Sequence, residues 1–186
     1  MAGSRIKRLG DTPTRYGPVS RSFHWITAYL LLWQSLMAIG WRVLGDGEFM
    51  RMTSRLGPTH VSTGILVLIL VIPRFLWALS NRHRRPPAEA SAAGWLARKV
   101  SALFYILMFV VPALAVIRAY GSGKGCALWG LQLIPGTGQE IHWLMAPANL
   151  LHAPLAWLLA LLISGHILMA LFHACIGRDR IMSRMV

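Results

Sequence analysis

Charge is scarce in this chain of 186 residues: 13% of positions are Asp, Glu, Lys or Arg, and Asp and Glu together number six. Ordinary globular domains carry roughly 25%. With 55% of residues hydrophobic, a soluble fold is a poor fit. Cysteine is nearly absent as well. Cys126 and Cys175 are the two present, and on the topology that the basic residues imply they fall on opposite sides of a membrane, which excludes a disulfide between them. The first twenty or so residues are polar and basic, with no short apolar segment and cleavage site, so no removable signal peptide is expected. There is no internal repeat, and the two halves do not read as inverted copies, which argues against a transporter.

What the chain has is apolar length. Four stretches, about Phe23 to Trp41, Thr59 to Leu79, Leu96 to Tyr120 and Ala148 to Cys175, approach or exceed the roughly 20 residues that cross a bilayer. The expected fold is all-α, an integral membrane four-helix bundle. Residues 1–18 form an N-terminal arm, 19–178 the membrane domain and 179–186 a tail.

The net charge of +13 invites a nucleic-acid reading, but its placement does not. Fourteen of the nineteen Lys and Arg residues fall on one side: Arg5, Lys7, Arg8, Arg15, Arg21, Arg74, Arg82, Arg84, Arg85, Arg98, Lys99, Arg178, Arg180 and Arg184. Arg42, Arg51, Arg55, Arg118 and Lys124 remain for the other. An excess of Lys and Arg marks cytoplasmic loops. Both termini and the second connection are therefore expected inside, which needs an even number of crossings. The run Asn81 to Pro87 reads as a contact to anionic lipid heads; the partner of this charge is the bilayer, not nucleic acid.

Local signals refine the elements. Ser20 or Ser22 is expected to cap the first helix, Gly57-Pro58 to open the second, and Gly177 to close the fourth. The loop from Gly121 to Pro147 is long for a bundle, and Gln139 to Met145 reads as a short helix lying in the outer interface.

Histidines in apolar helices need a partner. His24 lies near the inner end of the first helix and His60 near the outer end of the second. The fourth carries His152 near its outer end and His166 fourteen residues deeper, about 21 Å along the axis and close to four turns on. Depth then pairs His60 with His152 and His24 with His166. Two imidazoles on one iron describe a b-type haem built for electron transfer rather than oxygen binding. C-x-x-C-H is absent, which excludes covalent c-type haem. Zinc fits poorly, because the histidines come in twos with no cysteine or carboxylate at matching depth.

A single membrane histidine is as often a hydrogen-bonded core residue or a proton relay; four whose depths agree in pairs favour two haem b groups. Gly64, four residues after His60, clears a helix face for a flat macrocycle. His173, seven residues below His166, leaves two readings: an alternative partner for His24, or, as preferred, a proton donor or acceptor for a substrate at the inner haem. Arg74 and Arg21 are inner cations that either pair with haem propionates or only set topology. His83 reads as solvated. His142 reads as interfacial structure before a redox role.

The sequence resembles the bacterial cytochrome b561 family, four-helix di-haem cytochromes of the inner membrane. Phe-His24-Trp25, Thr-His60-Val-Ser-Thr-Gly64, Leu-His152, Gly165-His166 and His173 carry the likeness, from about Tyr16 to Met182. It implies His24, His60, His152 and His166 as axial ligands and His173 as the quinone-side histidine. It also implies superoxide oxidation at the outer face coupled to reduction of ubiquinone. A quinol-linked carrier serving a periplasmic redox partner is the second reading, and a non-redox helical protein the third. Members often carry a histidine early in the third helix; Ser101 stands there in this chain.

Overall fold

The computed structural model describes residues 9–87, 90–177 and 182–185. Arg5, Lys7, Arg8, Arg178 and Arg180, counted above among the inner cations, lie outside the described residues. In chain order come α1 (Pro18–Leu44), α2 (Glu48–Ser54), α3 (His60–Ser80), α4 (Ala92–Gly121), the strands β1 (Cys126–Leu128) and β2 (Leu131–Ile134), and α5 (His142–Phe172). A π-helical turn, His173–Gly177, continues α5, and a 3-10 turn spans Met182–Arg184.

The helix ends have local causes, and several differ from expectation. Pro18, not a serine, opens α1, directly after Gly17 and with no side-chain cap. Its missing N–H is one that a first turn leaves unpaired anyway. Ser20 instead accepts a hydrogen bond from Trp77 Nε1 at 2.9 Å, which ties α1 to α3. Gly57-Pro58 lies ahead of α3 rather than inside it. The cap is Thr59, whose hydroxyl accepts from the Ser62 N–H at 3.2 Å. The Pro58 carbonyl accepts from Trp33 Nε1 at 2.8 Å, so this proline fastens the entrance of α3 to α1. At α4 the Ser91 hydroxyl accepts from Gly94 N–H at 3.1 Å. The helix expected from Ala148 begins at His142, so Gln139–Met145 is not a separate interfacial helix but loop followed by the first turn of α5. Pro147 and Pro154 lie inside α5 without ending it. At its far end α5 gives way at His173 to the π turn, with Gly177 as that turn's last residue.

By length and composition α3, α4 and the run His142–Gly177 can each cross a bilayer. α1 has 27 residues and thus about 40 Å of length, but His24, Gln34 and Ser35 dilute its apolar character. The four long helices form the expected bundle, and α2 is a short outer-end addition.

The bundle packs in sequence order. α1 lies on α3, α3 on α4, and α4 along α5, whereas α5 approaches the backbones of α1 and α3 little. Its centre is a plug of Leu30, Val67, Val71, Leu107, Met108 and Leu159. Outward, large apolar side chains stay exposed, among them Leu36, Leu76, Ile106, Leu161 and Leu168. A surface of that kind suits a hydrocarbon solvent.

Both ends of the described chain meet at one end of the bundle. Asp11 Oδ1 accepts from Gly17 N–H at 2.9 Å, and Tyr16 N–H donates to the Arg184 carbonyl at 3.2 Å. Trp25 Nε1 donates to the Met185 carbonyl at 3.1 Å. An even number of crossings follows, with the Lys- and Arg-rich end taken as inner.

Candidate functional site

Between α5 and the α1–α3 pair lies a slot, spanned at two depths by histidine rings. His24 on α1 and His166 on α5 face each other with ring centroids 6.2 Å apart and planes at 66°. His60 on α3 and His152 on α5 do the same at 6.3 Å and 69°. These are the pairs that depth alone predicts, and His166, not His173, stands against His24.

The spacing has chemical meaning. With a metal–imidazole bond of about 2.0 Å and roughly 1.1 Å from nitrogen to ring centre, two imidazoles on opposite sides of one metal have centres about 6.2 Å apart. Direct ring packing or an imidazole–imidazole hydrogen bond has no need of that distance at both depths. The donor set also suits iron porphyrin better than a protein-only metal centre. Among the described residues no group of three or more His, Cys, Asp or Glu side chains is placed to hold a metal. Two nitrogens alone leave other coordination positions for a macrocycle to fill.

Three of the four rings have neighbours that orient them, and His60 is held through its backbone. His152 Nδ1 lies 3.0 Å from the carbonyl oxygen of Val111 on α4. A carbonyl only accepts, so Nδ1 carries the proton and Nε2 keeps its lone pair for the slot. His166 sits edge-on to Phe104 at 5.9 Å, and His24 edge-on to Trp25 at 5.2 Å. Gln34 Nε2 donates to the His60 carbonyl at 3.1 Å, holding the first turn of α3 against α1.

Two glycines neighbour the histidines in sequence, Gly64 one turn beyond His60 and Gly165 directly before His166. A Cβ on Gly64 would meet nothing nearer than Gln34 Nε2 at 3.8 Å and Pro112 Cβ at 4.0 Å. One on Gly165 would meet nothing within 4 Å. A small side chain thus fits at either glycine without a clash. Midway in sequence between His152 and His166 stands buried Leu159, part of the central plug that separates the two pairs.

Arg74 belongs to the inner pair. Its guanidinium lies over the Tyr105 ring, 5.6 Å from the centroid. Arg21 is partly buried at the same end, and its Nε has no hydrogen-bond partner. His173 opens the π turn, edge-on to Phe172 at 5.9 Å. Ser101 returns its hydroxyl to the Ala97 carbonyl at 2.7 Å. His83 accepts from Arg82 Nε at 2.9 Å in the exposed inner connection, and His142 is the first residue of α5.

At the outer end Arg51 faces Asp46 at 3.8 Å, and Arg118 Nε donates to Asn149 Oδ1 at 2.7 Å. The partners of His152 and His60, Val111 and Gln34, were not singled out in the sequence, since a carbonyl acceptor or a lone amide carries no pattern.

Comparison with known proteins agrees with this geometry. Over 177 residues the chain is 28% identical to cytochrome b561 homolog 2 of Escherichia coli strain K12, covering 95% of this chain and 93% of that protein. It is 24% identical over 177 residues to cytochrome b561 homolog 1 of the same organism, covering 92% and 97%. The family model for prokaryotic cytochrome b561 matches residues 15–186. A chain matched over nearly its whole length, with paired membrane histidines at the spacing of a shared iron, belongs to the prokaryotic cytochrome b561 family of b-type membrane cytochromes.

Proposed function

We propose that this cytochrome holds two haem b groups, one between His60 and His152 and one between His24 and His166, and oxidises superoxide at its outer face while reducing a ubiquinone-like quinone at its inner face. The observation that carries the reading is the pair of ring separations, 6.2 Å and 6.3 Å, at two depths of one slot. Bound haem supplies reversible one-electron exchange. The residues around it do the rest. Two imidazoles per iron leave no open position for oxygen. The His152–Val111 contact fixes a tautomer, and Leu159 with its neighbours keeps water out between the pairs. Arg74 would take the carboxylates of the inner haem, its guanidinium lying over the Tyr105 ring.

The electrons balance. Two superoxide anions give two dioxygen molecules and two electrons; these and two protons turn one quinone into a quinol. His173, near the inner surface, is the group assigned to pass those protons. The inner-membrane location and the superoxide and quinone specificities rest on the family resemblance alone.

One observation favours a second reading, a quinol-linked carrier to a periplasmic partner. Arg51 is paired with Asp46, which weakens an already small excess of positive charge for drawing in an anion. Stopped-flow mixing of the oxidised protein with superoxide separates the two. Haem reduction well above the spontaneous background is expected; its absence rejects superoxide as donor and leaves the carrier. A reduced-minus-oxidised spectrum with a haem-to-protein ratio of two tests the shared premise.

A further inference from the structure

The loop from α4 to α5 carries a feature that the electron-transfer site does not use. β1 and β2 pair antiparallel, with Leu128 opposite Leu131, so the turn is Trp129-Gly130. Both turn residues have positive φ, 48° and 85°, the signature of the tight hairpin turn that favours Asn-Gly or Asp-Gly. A tryptophan in that conformation is strained, since L side chains rarely adopt it. Burial among the described residues offsets little of it, because Trp129 is 71% exposed. A residue that breaks a local rule without an internal gain points to a contact outside the fold.

Its surroundings say what that contact is. From Gly125 to Gln139 there is no charged residue. Leu131 and Leu133 are exposed on β2, and Trp143 is exposed at the start of α5. Buried Cys126 seats the other end of the hairpin, and β1 touches α3 and α4. Val61 on the first turn of α3 and Ile117 and Tyr120 near the end of α4 are exposed as well. The hairpin is thus seated through β1 on α3 and α4, whose outer ends also expose apolar side chains. Indole rings with an apolar body and one N–H favour the headgroup boundary of a bilayer. A tip without charge has no electrostatic means of steering a protein partner.

We propose that the Trp129 hairpin is a membrane-interface anchor, inserted among the lipid headgroups and upper acyl chains of the leaflet nearest the His60–His152 pair. It pins the outer loop to the bilayer plane beside the outer histidine pair. The proposal does not depend on which donor or acceptor the cytochrome serves.

The test uses the full haem-loaded protein in phosphatidylcholine–phosphatidylglycerol nanodiscs. Cys175→Ser removes the exposed thiol, Cys126 being buried, and Leu131→Cys receives a nitroxide label. Insertion expects relaxation by dissolved oxygen to exceed that by a water-soluble nickel chelate several-fold, with the reverse at a label on Asp46→Cys. Adding Trp129→Asn, which suits the turn and so preserves the hairpin, should abolish most of that excess. A Leu131→Cys label more accessible to nickel than to oxygen with Trp129 present overturns the proposal and leaves a soluble protein partner as the occupant. A label that stays equally deep after Trp129→Asn also overturns it, by removing Trp129 from the anchor.

Discussion

His152 Nδ1 meets the Val111 carbonyl at 3.0 Å, and that contact decides which nitrogen His152 offers to the slot. The His60 ring stands opposite, 6.3 Å away by ring centres. The inner pair lies about four helical turns deeper on α5, beyond the Leu159 plug. The two pairs should therefore lose their cofactors independently. His60→Ala and His152→Ala are each expected to lower the haem-to-protein ratio from two to one and leave the spectrum of the inner haem. A ratio of two in both variants, read by pyridine haemochrome against protein, contradicts the assignment.

Gly64 tests the slot without touching a ligand. An alanine Cβ there finds ordinary contacts at 3.8 Å and 4.0 Å, so Gly64→Ala should fold and keep its haems. A leucine would extend into the space beside His60. Gly64→Leu is expected to lose the outer haem while helical circular dichroism stays within about 10% of the parent, since one substitution perturbs only a turn or so of one helix. Retention of both haems in Gly64→Leu would mean that the macrocycle lies elsewhere.

Much of this was legible in the sequence because hydrocarbon punishes polar side chains. A histidine at a given depth needs a partner at that depth, which pairs His60 with His152 and leaves His24 with His166 as the preferred partner and His173 as the alternative. Boundaries were less legible. The outer loop is expected to run to Pro147, yet α5 begins five residues before it, at His142. Pro147 is the sixth residue of the helix, past the first turn, so it leaves the Trp143 carbonyl without its i→i−4 donor while the helix continues through it. Ser20 and Ser22 look like caps, but Pro18 after Gly17 sets the start of α1. The hairpin was missed because its turn is Trp129-Gly130 instead of Asn-Gly, and residues chosen for an outside contact obscure the local pattern.

His173 separates ligand from proton carrier. It sits at the junction of α5 and the π turn, seven residues beyond His166, while His24 faces His166 at 6.2 Å. His173→Ala should keep both haems and the reduced spectrum, yet slow quinone reduction at least tenfold, a loss somewhat below the roughly hundredfold usual for a general acid or base. The two readouts, haem ratio and quinol formation, are taken on one sample. Loss of a haem instead would return the inner ligand to His173.

Tyr16 reports on the inner end, where the N-terminal segment meets the C-terminal turn. Its N–H bonds the Arg184 carbonyl at 3.2 Å. Burial raises its phenol pKa above the usual 10.0, Asp11 and Tyr105 add to the rise, and Arg85 and Arg184 oppose it. Folding therefore favours the protonated phenol. That preference stabilises fully below the unfolded value near 10.0 and is lost as pH climbs through the folded one. Tyr16→Phe cannot ionise, so the difference in unfolding temperature between parent and variant should stay flat from pH 7 to about 9. Above about pH 10 the parent should fall further than the variant. Other alkaline titrations are common to both proteins and cancel in the difference. A difference that is flat to about pH 11, or that opens in the opposite direction, would show that this phenol does not ionise more readily in the unfolded chain than against Asp11 and the helix ends.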